Sequence, residues 1–319
     1  MKNQTVLVTG GTGFVGVHTI LQLLQEGYTV RTTLRSLSRK ESISNALKDG
    51  GLTDFQSLSF HEADLTADAG WDEAVTDCDY VLHIASPFPL VQPEDENDLI
   101  IPARDGSLRV LKAAKKAGVK RVVLTSSYSA IGDSNRPKGH IFTEKDWTDE
   151  NGPIQPYAKS KTVAEKAAWD FIKNEGGDLE LAVINPVGIF GPIIGDIYPA
   201  AYEGLVSGLI KGTITESPAF TFGVVDVRDV ADIHIKVMLH PKANGQRFLA
   251  TADGAVSFYD VAQLIKKERP EIAAKIADLK PTEKEFYVEM SNQKAKDILD
   301  WHPGSKEKAI LASVDSGWK

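Results

Sequence analysis

Residues 5–16 read TVLVTGGTGFVG. The first five are β-branched or apolar and predict a strand, and Gly10, Gly13 and Gly16 follow at a spacing of three. Gly10 permits a tight turn, Gly13 lets backbone amides approach a diphosphate, and Gly16 lets the next helix pack on the strand. The start of that helix offers unpaired N–H groups to an anion. The stretch therefore predicts a dinucleotide-binding turn.

Strand and helix patterns alternate from this turn to about residue 185. The predicted strands are Val6–Thr9, Thr29–Leu34, Leu58–Phe60, Tyr80–Ile84, Arg121–Ser126 and Leu181–Asn185, and the predicted helices are Phe14–Glu26, Leu37–Lys48, Asp98–Ala117 and Tyr157–Asn174. Such alternation predicts an α/β fold of the Rossmann type, a doubly wound parallel sheet with helices on both faces. Several strands are continuously apolar, as in a sheet that is buried on both sides.

After residue 185 the alternation stops. Six glycines and prolines between Pro186 and Pro199 argue against regular structure there. Strands at Val224–Asp226 and Arg247–Ala250 flank a predicted helix, and we expect both to return to the main sheet. The predicted domains are a cofactor-binding domain (1–185 plus about 221–251) and a smaller, discontinuous substrate domain (about 186–220 plus 252–319).

Composition narrows the function classes. The net charge is −8 and no Lys/Arg-rich run occurs, which argues against nucleic acid as a partner. A single cysteine, Cys78, fits a reducing cytoplasm, and no apolar run reaches the roughly 20 residues that span a bilayer. The seven histidines show no metal-ligand spacing, so we predict no metal site. We expect a cytoplasmic monomer or homodimer.

The second strand ends at Arg35, with Arg39 and Lys40 shortly after. An NAD site would place an acid here, whereas a guanidinium suits the 2′-phosphate of NADP. A solvated basic loop is the alternative, but together with the glycine turn the pattern favours NADP(H). Asp64 and Leu65 follow the third strand, where the carboxylate either accepts from the adenine amino group or caps a turn.

Further candidate groups lie where strands and a helix approach the cofactor. Small residues at the end of the fourth strand leave room for a ligand: Ala85, Ser86 and Pro87. Hydroxyl side chains at the end of the fifth could bond a substrate oxygen: Thr125, Ser126 and Ser127. Tyr157 and Lys161, four apart, share one helix face, and an ammonium near a phenol lowers the phenol's pKa and suits it to proton transfer.

The glycine turn, the serine after strand five and Tyr157-x-x-x-Lys161 together resemble the extended short-chain dehydrogenase/reductases (the NAD-dependent epimerase/dehydratase family), and within them the dihydroflavonol-4-reductase-like group. Asn185-Pro186, residues 225–231 and Trp301-x-Pro303 extend the resemblance over nearly the whole chain. It implies Ser127 as the catalytic serine, with Ser126 as the fallback, Tyr157 as the acid/base, and Lys161 on the nicotinamide ribose. Its implied cofactor contacts are Gly10, Thr12, Gly13, Phe14, Val15, Gly16, Arg35, Pro186 and Val187.

The substrate is predicted from the stretch between Phe190 and Asp226, where Lys211 is the only basic residue. Phosphorylated substrates recruit several Arg or Lys donors, so the stretch argues against sugar nucleotides and coenzyme A. Its aromatics suit an apolar or aromatic carbonyl compound, and the candidate contacts are Phe88, Phe190, Tyr198 and Tyr202. These rings forming the small domain's own core is the alternative. The competing functions are a sugar-nucleotide epimerase or dehydratase and a non-catalytic NADP-sensing regulator.

Overall fold

A computed structural model describes residues 2, 4–87, 93–134 and 137–318. Its strands are β1 (Thr5–Thr9), β2 (Thr29–Leu34), β3 (Leu58–Glu62), β4 (Tyr80–His83), β5 (Arg121–Thr125), β6 (Ile141–Phe142), β7 (Glu180–Pro186), β8 (Gly188–Phe190), β9 (Phe222–Asp226), β10 (Arg247–Ala250), β11 (Ala255–Val256) and β12 (Glu289–Met290). Its α-helices are α1 (Phe14–Gln25), α2 (Lys40–Asp49), α3 (Trp71–Val75), α4 (Asn97–Lys116), α5 (Ser129–Gly132), α6 (Pro156–Glu175), α7 (Ser207–Ile210), α8 (Val227–Leu239), α9 (Phe258–Glu268), α10 (Pro270–Ala273), α11 (Gln293–Leu299) and α12 (Lys306–Gly317).

The main sheet has seven parallel strands in the order β10-β7-β5-β4-β1-β2-β3. Helices α1 and α8 pack together on one face, and α4 and α6 pack together on the other. Val6, Val8 and Leu82 are fully buried beneath the first pair, and Leu7 and Val81 beneath the second. The predicted doubly wound α/β fold is confirmed.

A second, three-stranded sheet has the order β11-β9-β8, with β9 parallel to β8 and antiparallel to β11. The expectation that both late strands return to the main sheet is therefore right for β10 and wrong for β9. Strand β9 lies on β8, in the stretch where glycine and proline had argued against regular structure. A short strand tolerates such neighbours because Pro186 closes β7 and Gly191, at φ +135°, turns the chain just after β8.

Three further elements differ from the sequence expectation. The predicted helix at Leu37–Lys48 is a 3₁₀ turn (Leu37–Arg39) followed by α2, and Ser36 accepts from the N–H of Ser38 at the start of that turn. The short helices α3 and α5 had no sequence signal strong enough to predict them, since each spans five residues or fewer. No helix of the described ranges is long and apolar enough to cross a membrane. The domain limits remain a prediction.

Candidate active site

The glycine turn has the geometry of an anion cradle. Gly10 has φ +74°, and a Cβ there would lie 2.9 Å from Cα of Ala85. A Cβ on Gly16 would lie 2.2 Å from the carbonyl oxygen of Gly10, so the turn and α1 require glycine at both positions. Gly13 differs: its φ is −91°, and a Cβ there would come no closer to the described atoms than 3.3 Å. The fold therefore restricts position 13 less than positions 10 and 16, and the role of Gly13 in letting a diphosphate approach the start of α1 stays a prediction.

The other predicted cofactor contacts of the glycine turn, Thr12, Phe14 and Val15, lie at or just before the start of α1. Phe14 is 8% exposed and packs edge-on against His18, and Val15 packs partly buried against the same core. Thr12 is half-buried and Gly13 is exposed, just before the N terminus of α1. A dinucleotide's diphosphate therefore fits this turn on structural grounds, through the free N–H groups of the first turn of α1.

The basic loop after β2 is open to solvent. Arg35, Arg39 and Lys40 are all exposed, and the guanidinium groups of Arg35 and Arg39 make no hydrogen bond or ion pair within the described ranges. The ammonium of Lys40 lies 5.9 Å from the ring centroid of Phe60. Two unpaired guanidinium groups are thus available to an anion beside the glycine turn.

The loop after β3 is fixed by its own hydrogen bonds. Asp64 Oδ1 accepts from the backbone N–H (2.8 Å) and the hydroxyl (2.7 Å) of Thr66, and these bonds lower the pKa of the Asp64 carboxyl. The carbonyl of Leu65 accepts from Arg109 at 2.7 Å. Of the two roles left open for Asp64, this geometry supports the turn cap.

The end of β4 runs beside the glycine turn. The hydroxyl oxygen of Thr9 accepts from the N–H groups of Ile84 and Ala85, both at 3.0 Å. Its own proton is therefore donated to Nδ1 of His83, 2.8 Å away, which leaves the proton of that imidazole on Nε2. Burial lowers the pKa of His83 to about 3, so the ring is neutral. Ser86 and Pro87 follow, partly buried, while Phe88 lies outside the described residues.

Strand β5 ends in three buried hydroxyl side chains. The carbonyl of Thr125 accepts from Lys161, and its hydroxyl donates to Nε2 of His234 at 2.7 Å, since Nδ1 of that ring donates to Val230. Ser126 Oγ is buried with no hydrogen-bond partner among the described residues. Ser127 Oγ accepts from the N–H of Ser129 at 3.1 Å and hydrogen-bonds the phenol of Tyr157. The geometry supports Ser127 over the fallback Ser126.

Tyr157 lies in the first turn of α6, partly exposed toward the carboxyl ends of the strands. Its surroundings raise the pKa of its phenol to about 12: burial contributes most, the Ser127 hydrogen bond opposes it, and Asp133 adds to it. The expectation of a lowered pKa is wrong for the chain by itself. The Lys161 ammonium stands 5.9 Å from the centre of the ring, too far to offset burial. The phenol therefore keeps its proton at neutral pH.

Lys161 is 7% exposed and directs its ammonium at the same edge of the sheet. Its one hydrogen bond within the described part of the chain goes to the carbonyl of Thr125, at a long 3.4 Å. Burial lowers the pKa of Lys161 to about 8, against an opposing contribution from Glu165. An ammonium with three donors and one long bond has capacity left for a ligand's hydroxyl groups.

Pro186 and Val187 leave β7 next to this pair. The carbonyl of Pro186 accepts from the N–H of Tyr128 at 2.9 Å, and Val187 donates to Ala250 at 3.2 Å. Strands β7, β5, β4 and β1 are parallel neighbours in the main sheet, so their carboxyl ends lie at one edge. The predicted site residues that follow these four strands, from Gly10 after β1 to Val187 after β7, therefore lie along that edge.

The predicted substrate contacts separate into two groups. Phe190 is 1% exposed, stacks on Phe222 with ring centroids 6.2 Å apart and belongs to the core of the small sheet. Its assignment as a substrate contact is therefore corrected to a packing role. Tyr202 is 8% exposed and Tyr198 is 40% exposed, and their rings contact each other 5.5 Å apart. A contact with substrate stays a prediction for both tyrosines.

Sequence reasoning missed the polar network behind the site. Glu165 and Arg247 are buried and form an ion pair at 2.6 Å, and Asn185 donates to the same carboxylate at 2.8 Å. A signal existed: Glu165 is a charged residue one turn after Lys161 on an alanine-rich helix face, and Arg247 begins an apolar strand. Charges in such positions are almost never buried unless they are paired. Within the described residues, no group of three metal-ligating side chains occurs.

Comparison with known proteins agrees with this arrangement. The sequence model of the NAD dependent epimerase/dehydratase family matches residues 6–250. A putative NADPH-dependent methylglyoxal reductase of Candida albicans is 32% identical over 98% of both chains. A cinnamoyl-CoA reductase of Medicago truncatula is 32% identical over 98% of this chain and 94% of its own. The crystal structure of a yeast methylglyoxal/isovaleraldehyde reductase complexed with NADPH superimposes with a TM-score of 0.86 at 28% identity, covering 98% of each chain.

Proposed function

The chain belongs to the NAD-dependent epimerase/dehydratase family of extended short-chain dehydrogenase/reductases, and on that premise we propose that it is an NADPH-dependent reductase of small neutral aldehydes or ketones. The observation that carries the proposal is the cluster of Ser127, Tyr157 and Lys161 at the carboxyl edge of the sheet. The Candida and Medicago relatives and the yeast protein are all named as reductases, and NADPH is named for the Candida and yeast proteins. A regulator that only senses the cofactor has no need of these three groups.

Each of the three residues has one task in the proposed reaction. Bound NADPH supplies a hydride to the carbonyl carbon. Tyr157, which holds its proton at neutral pH, donates it to the carbonyl oxygen. Ser127 hydrogen-bonds the Tyr157 phenol and stands ready to bond the same substrate oxygen as negative charge develops on it. Lys161 supplies ammonium donors for the nicotinamide ribose and a positive charge close to the phenolate that remains.

The preference for NADPH rests on Arg35 and Arg39. Both guanidinium groups are exposed and unpaired within the described ranges, and β2 ends without the acid that would hold an unphosphorylated ribose. The Candida relative carries NADPH in its name, and the yeast structure contains it. These observations support a 2′-phosphate in the basic loop of this chain.

The substrate class rests on charge. Relatives named for methylglyoxal and isovaleraldehyde indicate small carbonyl compounds. Lys211, the only basic residue between positions 190 and 226, would be a poor complement to the phosphates of coenzyme A or a sugar nucleotide. Neutral apolar or aromatic aldehydes and ketones fit this stretch better.

A panel assay tests the proposal. NADPH oxidation is followed by absorbance with methylglyoxal, isovaleraldehyde, aromatic aldehydes, dihydroflavonols, cinnamoyl-CoA and sugar nucleotides, in wild type and in Tyr157→Phe. We expect turnover with the neutral aldehydes, and turnover slower by on the order of 10²–10⁴-fold in the variant. Turnover confined to sugar nucleotides would establish the epimerase or dehydratase alternative. Tight NADPH binding without turnover of any compound would favour the regulator.

A further inference from the structure

Glu165 is a buried carboxylate that accepts from three side chains: Arg247, Asn185 and, at 3.3 Å, Nε1 of Trp169. It lies on α6 one turn after Lys161 and is 1% exposed. Oε1 accepts from Nε of Arg247 at 2.6 Å, and Oε2 accepts from Nδ2 of Asn185 at 2.8 Å. Only a carboxylate can accept on both oxygens, since an amide in its place would present N–H groups to one of two donors.

Asn185 passes this connection to the catalytic serine. The side chain is fully buried, and its second Nδ2 hydrogen is donated to the carbonyl oxygen of Ser127 at 3.1 Å. Because the Ser127 carbonyl and the Glu165 carboxylate only accept, the nitrogen of the amide must face them both, and its orientation is fixed. The peptide of Ser127 is thereby tied to Glu165.

Arg247 secures the other side of Glu165. Its guanidinium donates to the carbonyls of Glu144 (2.9 Å) and Asp146 (2.8 Å) and stacks over Trp147, 3.7 Å from the ring centroid. It also reaches the carbonyl of Ala130, in the turn that follows Ser127, at 3.5 Å. The carboxylate is therefore held in place from β10. Through Asn185 and Arg247 it is connected to both ends of residues 127–130, which we call the serine turn.

We propose that Glu165 is a positioning residue for the reaction proposed above: through Asn185 it fixes the peptide of Ser127 and with it the hydrogen bond between Ser127 and Tyr157. Neither Glu165 nor Asn185 touches the reacting atoms in this role. Ser127 follows the end of β5, and β7 accepts from the backbone on both sides of it: the N–H of Ser126 donates to Ile184 at 2.8 Å and that of Tyr128 to Pro186 at 2.9 Å. The Asn185 amide adds the bond from β7 to the carbonyl of Ser127 itself.

The same carboxylate also acts on Lys161 through space. It raises the pKa of the Lys161 ammonium, opposing the larger effect of burial. The other groups that face Lys161 are Tyr157 on its own helix, which keeps its proton, the neutral His83 on β4 and the Thr125 carbonyl on β5. Removing the charge of Glu165 therefore lowers the pKa of Lys161, whereas removing Asn185 does not.

Two variants separate these effects. In Glu165→Gln we expect kcat to fall at least tenfold and the alkaline limb of kcat/KM for NADPH to move to lower pH. In Asn185→Leu, which keeps the Glu165–Arg247 pair, we expect a similar fall in kcat with the alkaline limb unchanged. The dissociation constant for NADPH should stay within twofold in Asn185→Leu. Glu150→Gln is the matched control, since it removes the surface partner of Lys166 on the same helix and should leave kcat unchanged.

The outcomes decide the proposal in every case. If Asn185→Leu folds and keeps kcat within twofold of wild type, the proposal is wrong; if one of the two variants does not fold, kcat of the other decides by the same limit. If wild type reduces no compound of the panel, the proposed function fails, and a crystal structure of Asn185→Leu then tests the inference by itself. Displacement of Ser127 from Tyr157 would support it, and an unchanged hydrogen bond would overturn it.

Discussion

Lys161 and Arg247 are two buried cations beside the same carboxylate, and their surroundings differ. Arg247 has an ion pair at 2.6 Å, two carbonyls within 2.9 Å and an aromatic face against its guanidinium. The Lys161 ammonium has one hydrogen bond to the described residues, at 3.4 Å, and burial lowers its pKa to about 8. A buried cation with all its donors used holds the fold together. A buried cation with unused donors can bind a ligand instead, and its burial costs the fold free energy.

We expect the largest loss of activity from replacement of Tyr157, whose ring the Lys161 ammonium faces. Tyr157→Phe removes the donated proton and little else, so we expect kcat to fall on the order of 10²–10⁴-fold. NADPH binding, followed by fluorescence titration, should remain close to wild type. Tyr259→Phe, which removes a hydroxyl from α9 beside the core of the small sheet, is the control. Near-normal kcat in Tyr157→Phe would remove this tyrosine from the mechanism.

Replacing each of the two cations, Arg247 and Lys161, with methionine tests the difference between them most directly. Arg247→Met leaves Glu165 buried and unpaired, so we expect a loss of about 3–5 kcal/mol in the free energy of unfolding. Lys161→Met removes an under-bonded charge, so stability should hold or rise while kcat/KM falls at least tenfold. Urea denaturation and NADPH oxidation measure the two quantities. Equal loss of stability in both variants would contradict the distinction.

Arg35 extends the comparison to an exposed cation. Its guanidinium is exposed and unpaired within the described ranges, as expected of a group that binds a phosphate of the cofactor. Arg35→Asp exchanges a charge-assisted bond for repulsion, and a bond of about 1.5–3 kcal/mol corresponds to roughly 10–100-fold weaker NADPH binding. NADH binding should weaken little or improve. Lys48→Asp makes the same charge change at the last turn of α2 and should leave the preference intact.

The smallest expected effect is the pH dependence of kcat/KM, which tests whether the charge of Lys161 is needed. The pKa of Lys161 is about 8, below the ordinary 10.5, so its charge is complete below pH 7 and is lost as pH rises through 8. Tyr157, with a pKa of about 12, stays protonated over the same range. We expect kcat/KM for NADPH, which reports the free enzyme, to be level below pH 7 and to fall about tenfold per unit above pH 8. A level profile up to pH 10 would show that the charge of Lys161 is not needed.

The parts of this molecule that sequence could predict are those encoded by neighbouring residues. Gly10, Gly13 and Gly16 lie within one turn, and Tyr157 and Lys161 within one helix, so spacing alone places them. The Glu165 network joins residues 20 to 82 positions apart, and no local pattern indicates that Asn185 or Arg247 will meet Glu165. The raised pKa of Tyr157 was missed for a similar reason, because burial by distant segments outweighs a lysine one turn away.

The same non-local geometry explains the strand that was placed in the wrong sheet. Strand β9 is short and apolar, like β10, and both sequences suit a buried parallel sheet. Their partners differ because β8 lies directly after β7 and offers β9 an edge. Which edge a strand joins is decided by the fold around it and is not contained in its own residues.

The position of β10 at the end of the main sheet has a consequence for how the chain matures. Strands β1 to β7 are complete by residue 186, but the edge beside β7 is filled by residues 247–250. During synthesis α6, which carries Tyr157 and Lys161, can therefore pack on the sheet before Arg247, the ion-pair partner of Glu165, has been synthesised. Until β10 arrives, the nascent sheet has an open edge and an unpaired buried acid, so we expect the serine turn to be the last part of the active site to become ordered.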